Sequence, residues 1–267
     1  MTKVLGDVTR GTTNPNRLRR VDRWMLHAVC GTIRAAHDPI VVDVGFGVSP
    51  STTSELHQCL YKHVRADIEV VGFDNDPQRV ADAQYLAVSG LQFKQGGFAV
   101  PLDRDRKPIA IRAFNVLRQY DADEVVPAWR EMTARLAPQG FLIDGTCDEI
   151  GRRCTWLSIR AGAQEPETFT MSVHVGSLDV PSEIAARLPK VLIHENVPGQ
   201  PLHSFLSAMD RAWQSPALVS SGPRQRWVAT IESLAASGYP VIDTSVRWSL
   251  GELTVPWSVV RPTSFPG

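Results

Sequence analysis

Apolar residues in this chain come in short runs, each followed by a turn signal and a longer amphipathic stretch. Ile40–Val44 is β-branched and apolar except at Asp43, the composition of a strand buried on both faces of a parallel sheet. Gly45 and Gly47 follow at once, and Ser49-Pro50 then reads as an N-cap and a first helical residue. Thr52 and Glu55 offer a second helix start with capping-box spacing. Ile68–Phe73 repeats the strand pattern and ends on Asp74, and Asp76-Pro77 opens a helix predicted over Gln78–Val88. Further strands are predicted within Leu91–Phe98, Pro108–Leu117 and Phe141–Thr146, with an amphipathic helix over Asp123–Leu136 whose Val125, Val126, Trp129, Met132 and Leu136 share a face. Beyond them, Cys154–Arg160 and Thr168–Val175 alternate as an antiparallel hairpin. Helices are predicted over Ser182–Leu188, Pro201–Gln214 and Gln225–Ser237, and a terminal hairpin from Val241–Trp248 with Leu253–Val260.

A strand, a glycine turn, a helix and a second strand ending in a carboxylate describe half of a nucleotide-binding α/β sheet. Ligands of such sheets sit outside the carboxyl ends of the strands, where Asp74 can accept from both ribose hydroxyls. A dinucleotide fingerprint needs a third glycine, but the hexamer here is Gly45-Phe46-Gly47-Val48-Ser49-Pro50. Asp43 is also out of place beside a pyrophosphate, whereas negative charge suits the amino group and sulfonium of S-adenosylmethionine.

On these residues the chain resembles the class I S-adenosylmethionine-dependent methyltransferases over roughly residues 38–147. Asp43, Gly45 and Gly47 match the family's acidic-x-Gly-x-Gly motif, Ser49 its third small residue, and Asp74 its ribose-binding acid. The resemblance implies a Rossmann-like three-layer sandwich, with a mostly parallel seven-stranded sheet ending in an antiparallel strand pair, plus accessory helices and a hairpin. It implies S-adenosylmethionine as cofactor, held by Asp43, Gly45, Phe46, Gly47, Ser49, Asp74, Asn75, Gly97, Phe98, Asn115 and Leu117. Gly96-Gly97 stands where many members have Gly-Asp, so the usual aspartate contact to adenine is absent or replaced by backbone. Phe98 fits either an adenine face or a core. The leader Leu136–Leu142 also resembles the family's.

Methyl transfer depends chiefly on aligning acceptor and methyl, with a base where the acceptor is a hydroxyl. Candidate bases are His194, Asp148, Glu149 and Tyr120, with His203 beside them, and Arg118 and Gln119 are candidate substrate-facing groups. Phe114-Asn115-Val116-Leu117 stands in place of an Asn/Asp-Pro-Pro-Tyr/Phe motif, which argues against the usual amino-methylating enzymes of nucleic acids and glutamine. The reading is methyl transfer to a small molecule, with O-, N- and C-methylation all open. The alternatives are a non-catalytic scaffold of the same fold, a nicotinamide-dependent oxidoreductase, and an RNA methyltransferase using a basic N-terminal arm.

Composition narrows this further. The chain has 267 residues, 43% of them hydrophobic, and carries zero net charge. It reads as a single domain, with an arm and helix in residues 1–39, a cofactor core in 40–147 and a substrate side in 148–267. Residues 1–39 hold seven Lys/Arg against Asp7, Asp22 and Asp38, a net of +4 balanced by −4 elsewhere. The stretch Arg10–Arg20 is turn-rich and basic, and a helix is predicted over Val21–Ala35. The arm is expected to be a lid pairing with core carboxylates or a solvated segment; nucleic acid ranks last because the chain as a whole is neutral. Four scattered cysteines and seven histidines without ligand spacing predict no disulfide framework and no metal. No apolar run has membrane length and Met1-Thr2-Lys3 opens no signal peptide, so a cytoplasmic location is expected; a homo-oligomer is left open.

Overall fold

The computed structural model describes residues 14–103, 106–215 and 222–265. Its centre is one eight-stranded sheet. The strands are β1 (Ile40–Val44), β2 (Glu69–Asp74), β3 (Leu91–Gln95), β4 (Ala110–Phe114), β5 (Phe141–Cys147), β6 (Arg153–Arg160), β7 (Thr168–Val173) and β8 (Glu252–Pro256). They lie in the order β3-β2-β1-β4-β5-β6-β7-β8. The first five are parallel, and β6, β7 and β8 continue as an antiparallel meander.

Strand periodicity splits the apolar residues between two layers. Ile40, Val42 and Val44 of β1 join one apolar cluster, and Val41 joins the other. The first is covered by α5 (Ala122–Arg135), through Val125, Trp129 and Met132, and, over the meander, by α6 (Pro201–Trp213) and α7 (Pro223–Ala236). The second is covered by α1 (Arg19–Ala28) and α3 (Ser51–His63), through Val21, Trp24, Met25, Leu56 and Leu60. The short α2 (Cys30–Ala35) and α4 (Pro77–Ala83) complete the helices that flank the parallel half. The result is a Rossmann-like three-layer sandwich. Among the described residues, no helix is long and apolar enough to cross a membrane.

Several boundaries differ from expectation. The sheet has eight strands rather than seven, because the first hairpin pairs directly with β5 and a further strand adds to it. The terminal hairpin does not form. Ser245–Trp248 is a helical turn that brings Arg247 onto the buried Glu252 carboxylate, and only β8 enters the sheet. The helix expected over Val21–Ala35 breaks at Val29, where Val-Cys-Gly-Thr offers poor helix formers. The helix predicted over Gln78–Val88 ends at Ala83 and tightens into a 3-10 turn, as Gln84 Nε2 reaches the Phe93 carbonyl of β3. Helix α3 starts at Ser51, with Pro50 rather than Ser49 at its N-cap.

Candidate functional site

Strand order reverses at β1, whose neighbours are β2 and β4. A parallel sheet binds ligands at the carboxyl ends of its strands beside such a switch point. A cleft of about 270 Å³, open mouth included, lies there, lined by Val44, Gly45, Asp74, Asn75, Gly96, Gly97, Phe98, Val116 and Tyr120.

Its floor is the glycine turn. Gly45 has φ 73°, donates its N–H to Phe73 O at 2.7 Å, and leaves no room for a side chain: a Cβ would stand 2.5 Å from Val116 Cγ2. Gly47, also at φ 73°, donates its N–H to Asp74 Oδ2 at 2.9 Å. Asp74 Oδ1 accepts from the Asp76 N–H at 3.0 Å, and Arg79 Nη1 stands 3.7 Å from Oδ2. These contacts fix a buried carboxylate at the end of β2, and an ionised carboxylate has about four acceptor positions. Next to it, Asn75 Oδ1 is buried without a hydrogen-bond partner among the described residues. Phe98 and Tyr120 close one side, ring centroids 5.2 Å apart at 58°.

Of the residues predicted to hold a cofactor, Gly45, Asp74, Asn75, Gly97 and Phe98 therefore line the cleft, and Gly47 braces it. The others lie elsewhere. Phe46 packs edge-on against Phe93 (5.3 Å) on the α3 side of the sheet. Ser49 Oγ donates to Ser51 Oγ at 3.0 Å, and Leu117 is core. Asn115, in the left-handed region at φ 61°, has its amide on β5: Oδ1 accepts from Cys147 N–H (2.9 Å) and Nδ2 donates to Cys147 Sγ (3.4 Å).

Asp43 also turns away from the cleft, for an electrostatic reason. Arg112 sits opposite it in the β1–β4 register and grips it bidentately, Nε to Oδ1 at 2.8 Å and Nη2 to Oδ2 at 2.7 Å. Thr53 Oγ1 donates to Oδ2 at 2.6 Å, and the free arm of Arg112 pairs with Asp22 of α1. All three ions are buried, and burial pushes Asp22 up to about 7. The only sign of this triad in the sequence is a lone arginine in an apolar strand.

Among the candidate bases, only Tyr120 lines the cleft. Asp148 accepts from the N–H groups of Ile150, Arg152 and Arg153, which shapes the loop after β5. Glu149 is exposed, its carboxyl held low by a backbone hydrogen bond and by Arg187 3.2 Å away. His194 is exposed, and His203 Nδ1 lies 3.2 Å from Asn196 Oδ1. Arg118 donates to Ala186 O (2.9 Å) and Gln119 to Asn115 O (3.0 Å). Of the basic arm, Arg10 lies outside the described residues. Arg17 donates to Asp148 O (2.8 Å) and Cys147 O (3.2 Å), and Arg20 to Gly151 O (2.9 Å).

No family model and no curated protein matches the chain. Many solved structures of S-adenosylmethionine-dependent methyltransferases do resemble it at low identity. The magnesium protoporphyrin IX methyltransferase of Synechocystis PCC 6803, with bound S-adenosylhomocysteine, is 20% identical over 52% of this chain and 63% of its own, with TM-score 0.35. An amino pentose methyltransferase from Micromonospora echinaspora, with bound S-adenosylmethionine, is 18% identical over 61% and 75%, with TM-score 0.33. A TehB-like methyltransferase from Corynebacterium glutamicum is 18% identical over 53% and 67%, with TM-score 0.35. The chain spans less than two thirds of the first of these, and only 30% of the CMeT domain of citrinin polyketide synthase. Overlap at this level leaves the chemistry of the cleft to its own residues.

Proposed function

We propose that the protein is an S-adenosylmethionine-dependent methyltransferase acting on a small molecule. The observation that carries this reading is the pairing of a fixed carboxylate, Asp74, with the unpartnered buried Asn75 Oδ1, over a Gly45 backbone that excludes a Cβ. That donor-hungry floor fits a nucleoside with ribose hydroxyls and an exocyclic amine. Asp74 would accept from the ribose hydroxyls and Asn75 Oδ1 from an N–H. Phe98 and Tyr120 supply aromatic surface. The cofactor, when bound, supplies a methyl on a sulfonium, already an activated electrophile. The chain's own task is then to bind and orient the acceptor and to keep water out.

A second reading, a nucleoside-binding protein without turnover, is favoured by the scarcity of acid–base groups in the cleft, where Tyr120 is the only one of the five candidate bases. Calorimetric titration with S-adenosylmethionine, S-adenosylhomocysteine and NADH tests the cofactor class. Micromolar binding of the first two and none of NADH is expected. Asp74→Ala should lose at least tenfold in affinity with unchanged circular dichroism. Unchanged affinity in that variant, or binding of NADH alone, refutes the assignment. An acceptor screen on the binding-competent protein then separates enzyme from scaffold.

A further inference from the structure

Cys147 ends β5, Cys154 lies near the start of β6, and the two are directly opposed across the ladder. The adjacent pair Asp148–Arg153 is the hydrogen-bonded one, with Asp148 N–H donating to Arg153 O at 3.0 Å. Alternation makes Cys147–Cys154 a non-hydrogen-bonded pair, where Cα atoms approach to about 4.5 Å, inside the range of about 4.4–6.8 Å that a disulfide needs. Both residues belong to the same apolar cluster and are 1% exposed, and Cys154 Sγ donates to Gly151 O at 3.7 Å. Cys147 Sγ also accepts from Asn115 Nδ2, and the Arg17 guanidinium lies beside it on the Cys147 carbonyl. The opposed Cys154 thiol, helped by Arg17 and Asn115, brings the Cys147 thiol below its ordinary range, while Cys147 and burial push Cys154 up. An activated thiol with a second thiol against it differs from the other two cysteines. Cys59, on α3, is pushed up to about 11 by burial, and Cys30 stands apart on α2.

We propose that Cys147 and Cys154 are a modification site that closes reversibly into a cross-strand disulfide on exposure to a hydroperoxide. The Cys147 thiolate attacks one oxygen of hydrogen peroxide, the O–O bond breaks, and the departing hydroxide takes up the thiol proton as water. Cys154 then attacks the Cys147 sulfenic acid. The S–S bond forms, the S–O bond breaks, and the oxygen leaves as a second water with the Cys154 proton. The two thiols together lose two electrons and two protons to the peroxide. The sulfur that Asn115 Nδ2 holds becomes a poorer acceptor, and Asn115 directly precedes Val116 of the cleft wall, so closure bears on the cleft.

The test uses the full chain, reduced, exposed to excess hydrogen peroxide, then denatured, alkylated with N-ethylmaleimide and mapped by peptide mass spectrometry. A Cys147–Cys154 cross-linked peptide lighter by two hydrogens, restored to two alkylated cysteines by dithiothreitol, is expected. In Cys154→Ser, dimedone should trap a sulfenic acid on Cys147. Full alkylation of both cysteines after peroxide overturns the proposal. So does a Cys147 that stops at sulfinic acid while Cys154 remains alkylated. The wild-type result decides the matter whether or not the variant folds.

Discussion

Asp144 lies in the middle of β5 and is 2% exposed; among the described residues its carboxylate accepts one side-chain hydrogen bond, from Trp129 Nε1 at 3.0 Å, and forms no ion pair. Burial pushes its carboxyl from 3.8 up to about 7, against the pull of the Trp129 N–H. In the unfolded chain the proton leaves near 3.8; in the folded chain it stays until about 7. Between those values the folded state holds the extra proton, so stability is full below the lower value and falls as pH rises through the upper one. At 1.36 kcal/mol per pKa unit the full loss has a ceiling of about 4 kcal/mol. Asp144→Asn keeps an acceptor oxygen for Trp129 and has nothing to ionise. Its buried amide costs about 1–3 kcal/mol, and that cost does not vary with pH. Urea unfolding followed by circular dichroism at pH 5, 6.5 and 8 separates the two effects. The variant should be less stable than wild type at pH 5, and the gap should narrow or reverse by pH 8. Asp22 and Glu252 are also pushed up to about 7 by burial and have the same sign, but both remain in each protein and cancel in the difference. A gap that stays constant from pH 5 to 8 refutes the argument.

Three further outcomes follow from named contacts. Arg112→Met leaves Asp43 and Asp22 buried without their cation and should cost about 3–5 kcal/mol in urea unfolding, with much of it recovered when both aspartates are also made Asn. Gly45→Ala places a methyl 2.5 Å from Val116 at φ 73°; it should destabilise by at least about 1 kcal/mol and weaken nucleoside binding measured by calorimetry. Tyr120→Phe keeps the ring against Phe98 and removes the hydroxyl, so cofactor affinity should hold while turnover on a hydroxyl acceptor falls about 100-fold if that hydroxyl is the base.

The centre of the parallel half was legible because β1, β4 and β5 lie in mostly apolar runs, while edge strand β3 alternates, with Leu91 and Phe93 buried and Gln92 and Gln95 exposed. Ile40–Val44 and Phe141–Thr146 read correctly to within a residue. Gly45 and Gly47 were legible for a related reason, since a turn that close to a ligand floor leaves few alternatives to glycine. The edge of the sheet was not legible. Val241–Trp248 alternates well enough for a strand, but a buried ion pair between Arg247 and Glu252 outweighs that local pattern. Asp43 shows the same limit within the site. Its motif position suggests a ligand contact, and its direction is set by Arg112, which is 69 residues away in sequence and adjacent only through strand register. Asn75 was named from its place after Asp74, but the lack of a partner on its Oδ1 is a property of the packed cleft that sequence does not carry.

The same triad bears on the basic arm. Asp22 is on α1, Arg112 on β4 and Asp43 on β1, so the buried ion cluster fastens the first helix to the centre of the sheet. With α1 fixed, Arg17 and Arg20 reach the carbonyls of Cys147, Asp148 and Gly151 at the end of β5, and Gly151 packs so closely that a Cβ there would lie 2.1 Å from Arg17 O. Two of the arm's cations are thus committed to backbone oxygens of the protein itself, in a part of the structure where a phosphate would have to displace them. An arm that served nucleic acid would present those guanidinium groups to solvent and weaken its ligand steeply with salt. Here their geometry does different work. It clamps the loop that follows β5, and through Cys147 and Asn115 it braces the wall of the cleft, so the charge of Arg17 and Arg20 is accounted for by contacts within the protein.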